Sequence, residues 1–248
     1  MNRVAPLSED TLTNLDQLSS YNSITADQEP LPQIATGEVT DHAIFVPMHY
    51  EQRYSYPLVV WLHGPSGNER QLQQVMPMVS LRNYVAVAPR GTILEEDSVN
   101  AFSWKQSPAH IELAEDRVFD CIDIAKRQFN IPNERIFLAG YGCGGTMAIR
   151  IAWNHPEQFK GVATIGGSLP ECHRPLHHVN RLRRLPLLLA CGQNASVFDQ
   201  QLVCDNLRLL HSAGMIVALR QYPCADDLRT TMLNDLDHWV MSIVCEKT

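Results

Sequence analysis

The chain has 248 residues, 45% of them hydrophobic, and a formal net charge of −7. That is enough for one large α/β domain with a core of its own, and it excludes a general electrostatic affinity for nucleic acid. No apolar run reaches the roughly 20 residues needed to span a bilayer, and Met1 to Thr13 lacks the apolar centre of a secretory leader.

Residues 1 to 37 are polar and acidic, carry little periodic pattern, and end at Pro30 and Pro32. They read as an N-terminal extension, with room for a short helix around Thr11 to Leu18, ahead of a domain over residues 38–248. Ala43 to Val46 is the first expected strand. Leu58 to Leu62 is continuously apolar, as a strand buried on both faces must be. Tyr84 to Ala88 follows. Ile111, Ala114, Val118, Cys121, Ile122, Ala125 and Phe129 then recur at helical spacing along one face. Further strands are expected at Arg135 to Ala139, Val162 to Ile165, Leu187 to Ala190 and Met215 to Leu219. Met232, Leu233, Leu236, Val240, Ile243 and Val244 mark a last amphipathic helix. Strands alternating with helices imply a mostly parallel sheet with helices on both faces, and a site along the edge where the strands end. Seven scattered cysteines without a Cys-x-x-Cys pair read as reduced thiols, so the expected compartment is the cytoplasm.

The segment from Arg135 to Gly145 runs straight into a helix with Met147, Ala148, Ile151 and Ala152 on its apolar face and Pro156 beyond its end. A strand, a glycine-framed sharp turn and a helix make a nucleophile elbow, whose usual pattern is Gly-x-Ser-x-Gly. Here it reads Gly140-Tyr141-Gly142-Cys143-Gly144. The frame is kept and the tip is glycine. A glycine-rich turn that binds phosphate is the competing reading of this segment alone.

From about Asp41 to Val244 the chain resembles the phospholipase/carboxylesterase group of α/β-hydrolases. The resemblance rests on Leu58–Gly67 (LVVWLHGPSG), Val87–Gly91 (VAPRG), Phe102–Trp104 (FSW), the elbow, Leu185–Gly192 (LPLLLACG) and Tyr222–Trp239, in that order. It implies an α/β-hydrolase fold with no cofactor, and a nucleophile, acid and base at Gly142, Ala195 and Asp226. None of these three carries the expected side chain. Of the two oxyanion-hole donors such a fold uses, Cys143 keeps its N–H, while the second falls on Pro65, which has none. The expectation is therefore a pseudoenzyme that binds a small ester-like ligand or pairs with a related esterase.

Cys143 with His63, or Ser66, would be the relocated nucleophile of an active carboxylic-ester hydrolase. Asp199 is the candidate displaced acid, on the next helix. His238, between Asp237 and Trp239 on the last helix, reads as a surface residue, and Ser168 as a loop serine. Cys172, His173, His177 and His178 crowd one loop at spacings that zinc accepts, although a polar surface loop explains them too. Arg181, Arg183 and Arg184 read as a solvated helix end. The loops around Glu95 to Trp104 and Leu169 to Val179 are expected to shape the pocket.

Overall fold

The structure, a computed structural model, describes residues 41–94, 101–170, 179–196 and 200–246. The extension over 1–37, its short helix, Asp199, and the cluster Cys172, His173, His177 and His178 lie outside them.

Nine strands and six helices follow one another in the described chain. The strands are β1 (His42–Phe45), β2 (Leu58–Leu62), β3 (Val85–Pro89), β4 (Thr92–Ile93), β5 (Phe102–Ser103), β6 (Ile136–Tyr141), β7 (Gly161–Ile165), β8 (Leu187–Gly192) and β9 (Val217–Tyr222). The helices are α1 (Gln71–Val79), α2 (Pro108–Gln128), α3 (Cys143–Asn154), α4 (Val179–Leu182), α5 (Gln200–Ser212) and α6 (Thr230–Cys245). Seven strands form one sheet in the order β1-β3-β2-β6-β7-β8-β9. β1 runs antiparallel to β3 and every other pairing is parallel. β4 and β5 form a separate antiparallel pair.

The apolar runs occupy the middle of the sheet because both of its faces are covered. All five residues of β2, β3 and β7 are buried, and so are all six of β8. One face packs Leu58, Val60, Leu138 and Val162 against Val118, Ile122, Met147 and Ile151 of α2 and α3. The other packs Val59, Trp61, Phe137 and Ala163 against Leu72, Met76, Leu233 and Val240 of α1 and α6. The expected two-sided architecture is present. The predicted face of α2 is the buried one at Ala114, Val118, Cys121, Ile122 and Ala125.

Several elements depart from the expectation, β9 and α1 among them. β9 begins two residues later and ends three residues later than the apolar run, at Val217–Tyr222 rather than Met215–Leu219. It is the edge strand, so its outer positions can be polar, and Arg220 and Gln221 continue it. Met215 instead turns into the core after Gly214, with its N–H donated to Leu210 O. α1 was not expected at all: it is nine residues long and holds Pro77 in its interior, which blurs its helical period.

Across the α1–α6 face, Tyr84 is fully buried and its hydroxyl donates to Asp237 Oδ1 at 2.6 Å. Burial, then the neighbouring carboxylate, pushes the phenol far above its usual range, so it is always a donor. Asn83 Nδ2 donates to the same oxygen at 3.1 Å. Tyr84→Phe is expected to lower stability by about 1.5 kcal/mol, the low end for a hydrogen bond to a charged group. Chemical denaturation of the two proteins measures it, and an unchanged midpoint would dismiss the bond as a stabilising element.

Candidate functional site

The sheet delivers one end of β2, β6, β7 and β8 to a common edge. At the end of β6, Gly142 turns the chain into α3 with φ 53° and ψ −123°. This lies in the left-handed region that L residues avoid and glycine adopts at little cost. Its N–H donates to Ile165 O of β7 at 2.9 Å, and its carbonyl accepts from Thr146 N–H at 3.1 Å. The elbow expected from the sequence is therefore formed, with a bare tip.

Beside that tip is a cavity of about 370 Å³. Pro65, Trp104 and Tyr141 give it ring walls, and Cys143, Thr146, Ser168 and Asp226 supply its polar groups. Gly142 lies in its lining, between Tyr141 and Cys143. Ser168, read from the sequence as a plain loop serine, faces this cavity, 3.4 Å from Thr146 Oγ1. Trp104 comes from the loop expected to shape it, and Gln106 lines it from just beyond that loop.

The loop after β2 forms one wall. Gly67 N–H donates to Gly64 O at 3.2 Å, closing a turn with Pro65 second and Ser66 third. Ser66 takes φ 57°, the conformation a type II turn requires at that place. Gly64 N–H donates to Gln71 Oε1 at 3.1 Å. Pro65 has no N–H and the N–H groups of Gly64 and Gly67 are committed. Ser66 is exposed and does not line the cavity.

His63 is fully buried. Its Nδ1 is 2.9 Å from Gly64 O, and its Nε2 accepts the Gly91 N–H at 3.0 Å. Those two contacts fix a neutral imidazole protonated on Nδ1. Burial holds its pKa below the usual 6.5. With both nitrogens engaged, the ring has none to offer Cys143. The Cys143 thiol instead meets Ser103 Oγ at 3.5 Å and packs against the core. A group whose folded pKa is depressed stabilises fully above its unfolded pKa, and that contribution is lost as pH falls. Between pH 7.5 and 5.5 the unmutated protein is expected to lose more thermal stability than His63→Gln. Equal slopes in Tm against pH would refute the neutral assignment.

Ala195 and Asp226 come together through the β8–β9 ladder and its continuation. Gln193 N–H donates to Tyr222 O at 2.8 Å and Asn194 N–H to Cys224 O at 3.0 Å. A Cβ on Gly192 would lie 2.1 Å from Ala225 O, so only glycine allows this approach. Ala195 is buried against Cys191 and Val203 and does not line the cavity. Its neighbour Ser196, which the sequence did not single out, meets Asp226. Ser196 N–H reaches both carboxylate oxygens at 3.1 Å, and Ser196 Oγ donates to Oδ2 at 2.6 Å. The Tyr141 hydroxyl donates to the Asp226 carbonyl. Burial raises the Tyr141 pKa, and the negative charge of Asp227 and Asp226 adds to the rise. His238 is exposed on α6, 4.0 Å from Asp235, and takes no part in the cavity. Arg181, Arg183 and Arg184 are exposed, with Arg183 Nε donating to Ala213 O at 2.8 Å. Among the described residues no group of three His, Cys, Asp or Glu side chains is placed to hold a metal ion. In the same residues no helix is long and apolar enough to cross a membrane.

A mostly parallel sheet covered on both faces, with a sharp strand-to-helix turn beside a cavity at the strand ends, defines an α/β-hydrolase fold. The chain belongs to the Phospholipase/Carboxylesterase family, whose model matches residues 51–243. Solved structures agree on the fold. A Bacillus cereus carboxylesterase superposes with a TM-score of 0.65 at 17% identity, covering 83% of this chain and 95% of that one. Acyl-protein thioesterase 2 of Zea mays gives 0.66 at 15% identity, covering 83% and 99%. In sequence, the protein described as "Putative esterase NocK" from Nocardia uniformis subsp. tsuyamanensis is 28% identical over 143 residues. That match takes in 55% of this chain and 39% of the relative, so the chain spans well under half of that protein's length.

Proposed function

We propose that this chain is a non-catalytic member of its family that keeps the elbow cavity for binding a small, ester-like ligand. The observation that carries the proposal is a tip in nucleophile-elbow geometry with no side chain on it. Gly142, Ala195 and Asp226 then stand at the places of nucleophile, acid and base. Without a nucleophile there is no acyl-enzyme route, and a carboxylate in the base's place is a poor proton acceptor near neutral pH. The Ser196 contacts support this, because they hold Asp226 on the β8 side of the site. Pro65 removes the second oxyanion donor, whose loss in a working enzyme costs about 10²–10³ in rate.

Purified protein is expected to hydrolyse p-nitrophenyl acetate and butyrate at the buffer rate, and to gain no fluorophosphonate adduct by intact mass. Turnover at ordinary esterase rates would end this reading.

The second reading, an active ester hydrolase with a relocated nucleophile, is favoured by one observation: Cys143 is among the residues lining the cavity. Turnover that survives Gly142→Ala and disappears in Cys143→Ala would establish it. Loss in Ser66→Ala instead would place the nucleophile on the turn.

A further inference from the structure

The vacancy at the tip and the proline in the facing loop are in direct contact. A Cβ built on Gly142 would lie 3.0 Å from Pro65 Cδ and 3.8 Å from its Cγ. Among the described residues no other heavy atom outside the tip's own neighbours comes within 4 Å of that position. The lower of these distances is well inside ordinary carbon–carbon contact of about 3.5–4.0 Å.

We infer that Pro65 is a steric lock on the elbow, so that its loop requires glycine at 142 rather than tolerating it. The atom in the way cannot swing aside as the end of a flexible side chain would. Cδ is bonded to the Pro65 backbone nitrogen, and the ring fixes φ near −65°. Moving it means moving the backbone of the turn. That turn is tied by Gly67 N–H to Gly64 O, and by Gly64 N–H to Gln71 Oε1. Gln71 Oε1 also takes the Trp61 Nε1–H at 3.0 Å, which anchors the tie to a fully buried side chain. One residue therefore does two things. Pro65 withholds an N–H from the cavity and excludes a side chain from the tip. Bare tip and missing donor are one coupled change, and this holds whether or not the cavity turns over a substrate.

The test is a double-mutant cycle on the full chain, read by thermal unfolding. Gly142→Ala is made in the unmutated protein and in a Pro65→Gly background. The cost of placing alanine at φ 53° is common to both. With Pro65 present, the fall in Tm is expected to be about 2–4 °C larger than in the Pro65→Gly background. Pro65→Ala, which also lacks Cδ, repeats the cycle should the glycine variant fold poorly, and it is expected to relieve the same excess. A proline that merely stiffened its own loop would give additive effects. Equal falls in Tm across the backgrounds overturn the lock. The proposed lack of hydrolysis is tested separately on the unmutated protein, so each idea fails alone.

Discussion

The triple variant Gly142→Ser, Ala195→Asp, Asp226→His is expected to hydrolyse p-nitrophenyl acetate no faster than the unmutated protein. Adding Pro65→Ala is expected to raise its rate by at least about 100-fold, the lower value of a single oxyanion donor. On the proposed reading, the triple variant supplies a serine, an acid and a histidine without the space or the donor they need. Its new serine carries a Cβ that would lie 3.0 Å from Pro65 Cδ, at a backbone position with φ 53°. Its new histidine loses the three contacts through which Ser196 holds the native carboxylate. Pro65→Ala supplies an N–H at the loop position and removes the ring from above the tip. Rates that are the same with Pro65 and with alanine, at whatever level, would show that the proline does not limit the site.

The second large effect concerns the loop's support. Glu69 follows the Pro65 turn directly and is buried. Arg90, just past β3, grips it with two parallel bonds, Nε to Oε2 at 2.7 Å and a terminal nitrogen to Oε1 at 2.6 Å. Arg90 also pairs with Asp41 and lies over the Phe102 ring. Arg90→Met strands a buried carboxylate. It is expected to lower stability by about 3 kcal/mol, the lower end for breaking a buried pair, because the arginine is partly exposed. For a domain of this size that is about 6–12 °C in Tm. The double change Glu69→Leu with Arg90→Met is expected to recover much of the loss, since an apolar pair carries no desolvated charge. A double variant no more stable than Arg90→Met would contradict this.

The same pair sets a pH dependence. Arg90 holds the Glu69 carboxyl below its usual 4.5. Its contribution is complete above the unfolded pKa and is lost as pH falls through the lower folded one. The unmutated protein is therefore expected to lose more stability below about pH 4.5 than the apolar double variant.

The architecture was legible in the sequence because burial on both faces of a parallel sheet leaves unbroken apolar runs. Leu58–Leu62 and the Ile111–Phe129 face could be read directly. The elbow was legible for a different reason. A turn with left-handed backbone at its tip, closely packed against a strand, leaves its glycines at fixed spacing whatever residue stands at the tip. So the sequence by itself determined the fold class and the family resemblance, and it put Gly142, Ala195, Asp226 and Pro65 forward as the altered positions. It misjudged the edge strand, since Arg220 and Gln221 of β9 look like loop until the edge is known. It also passed over α1, where Pro77 interrupts the period. Tertiary structure alone decided what those four positions do to one another. Pro65 meets Gly142 across 77 positions of chain, Ser196 meets Asp226 across 30, and His63 gives its Nε2 to Gly91 across 28. A contact between distant segments depends on strand order and register to within an ångström. Local composition and periodicity do not record it.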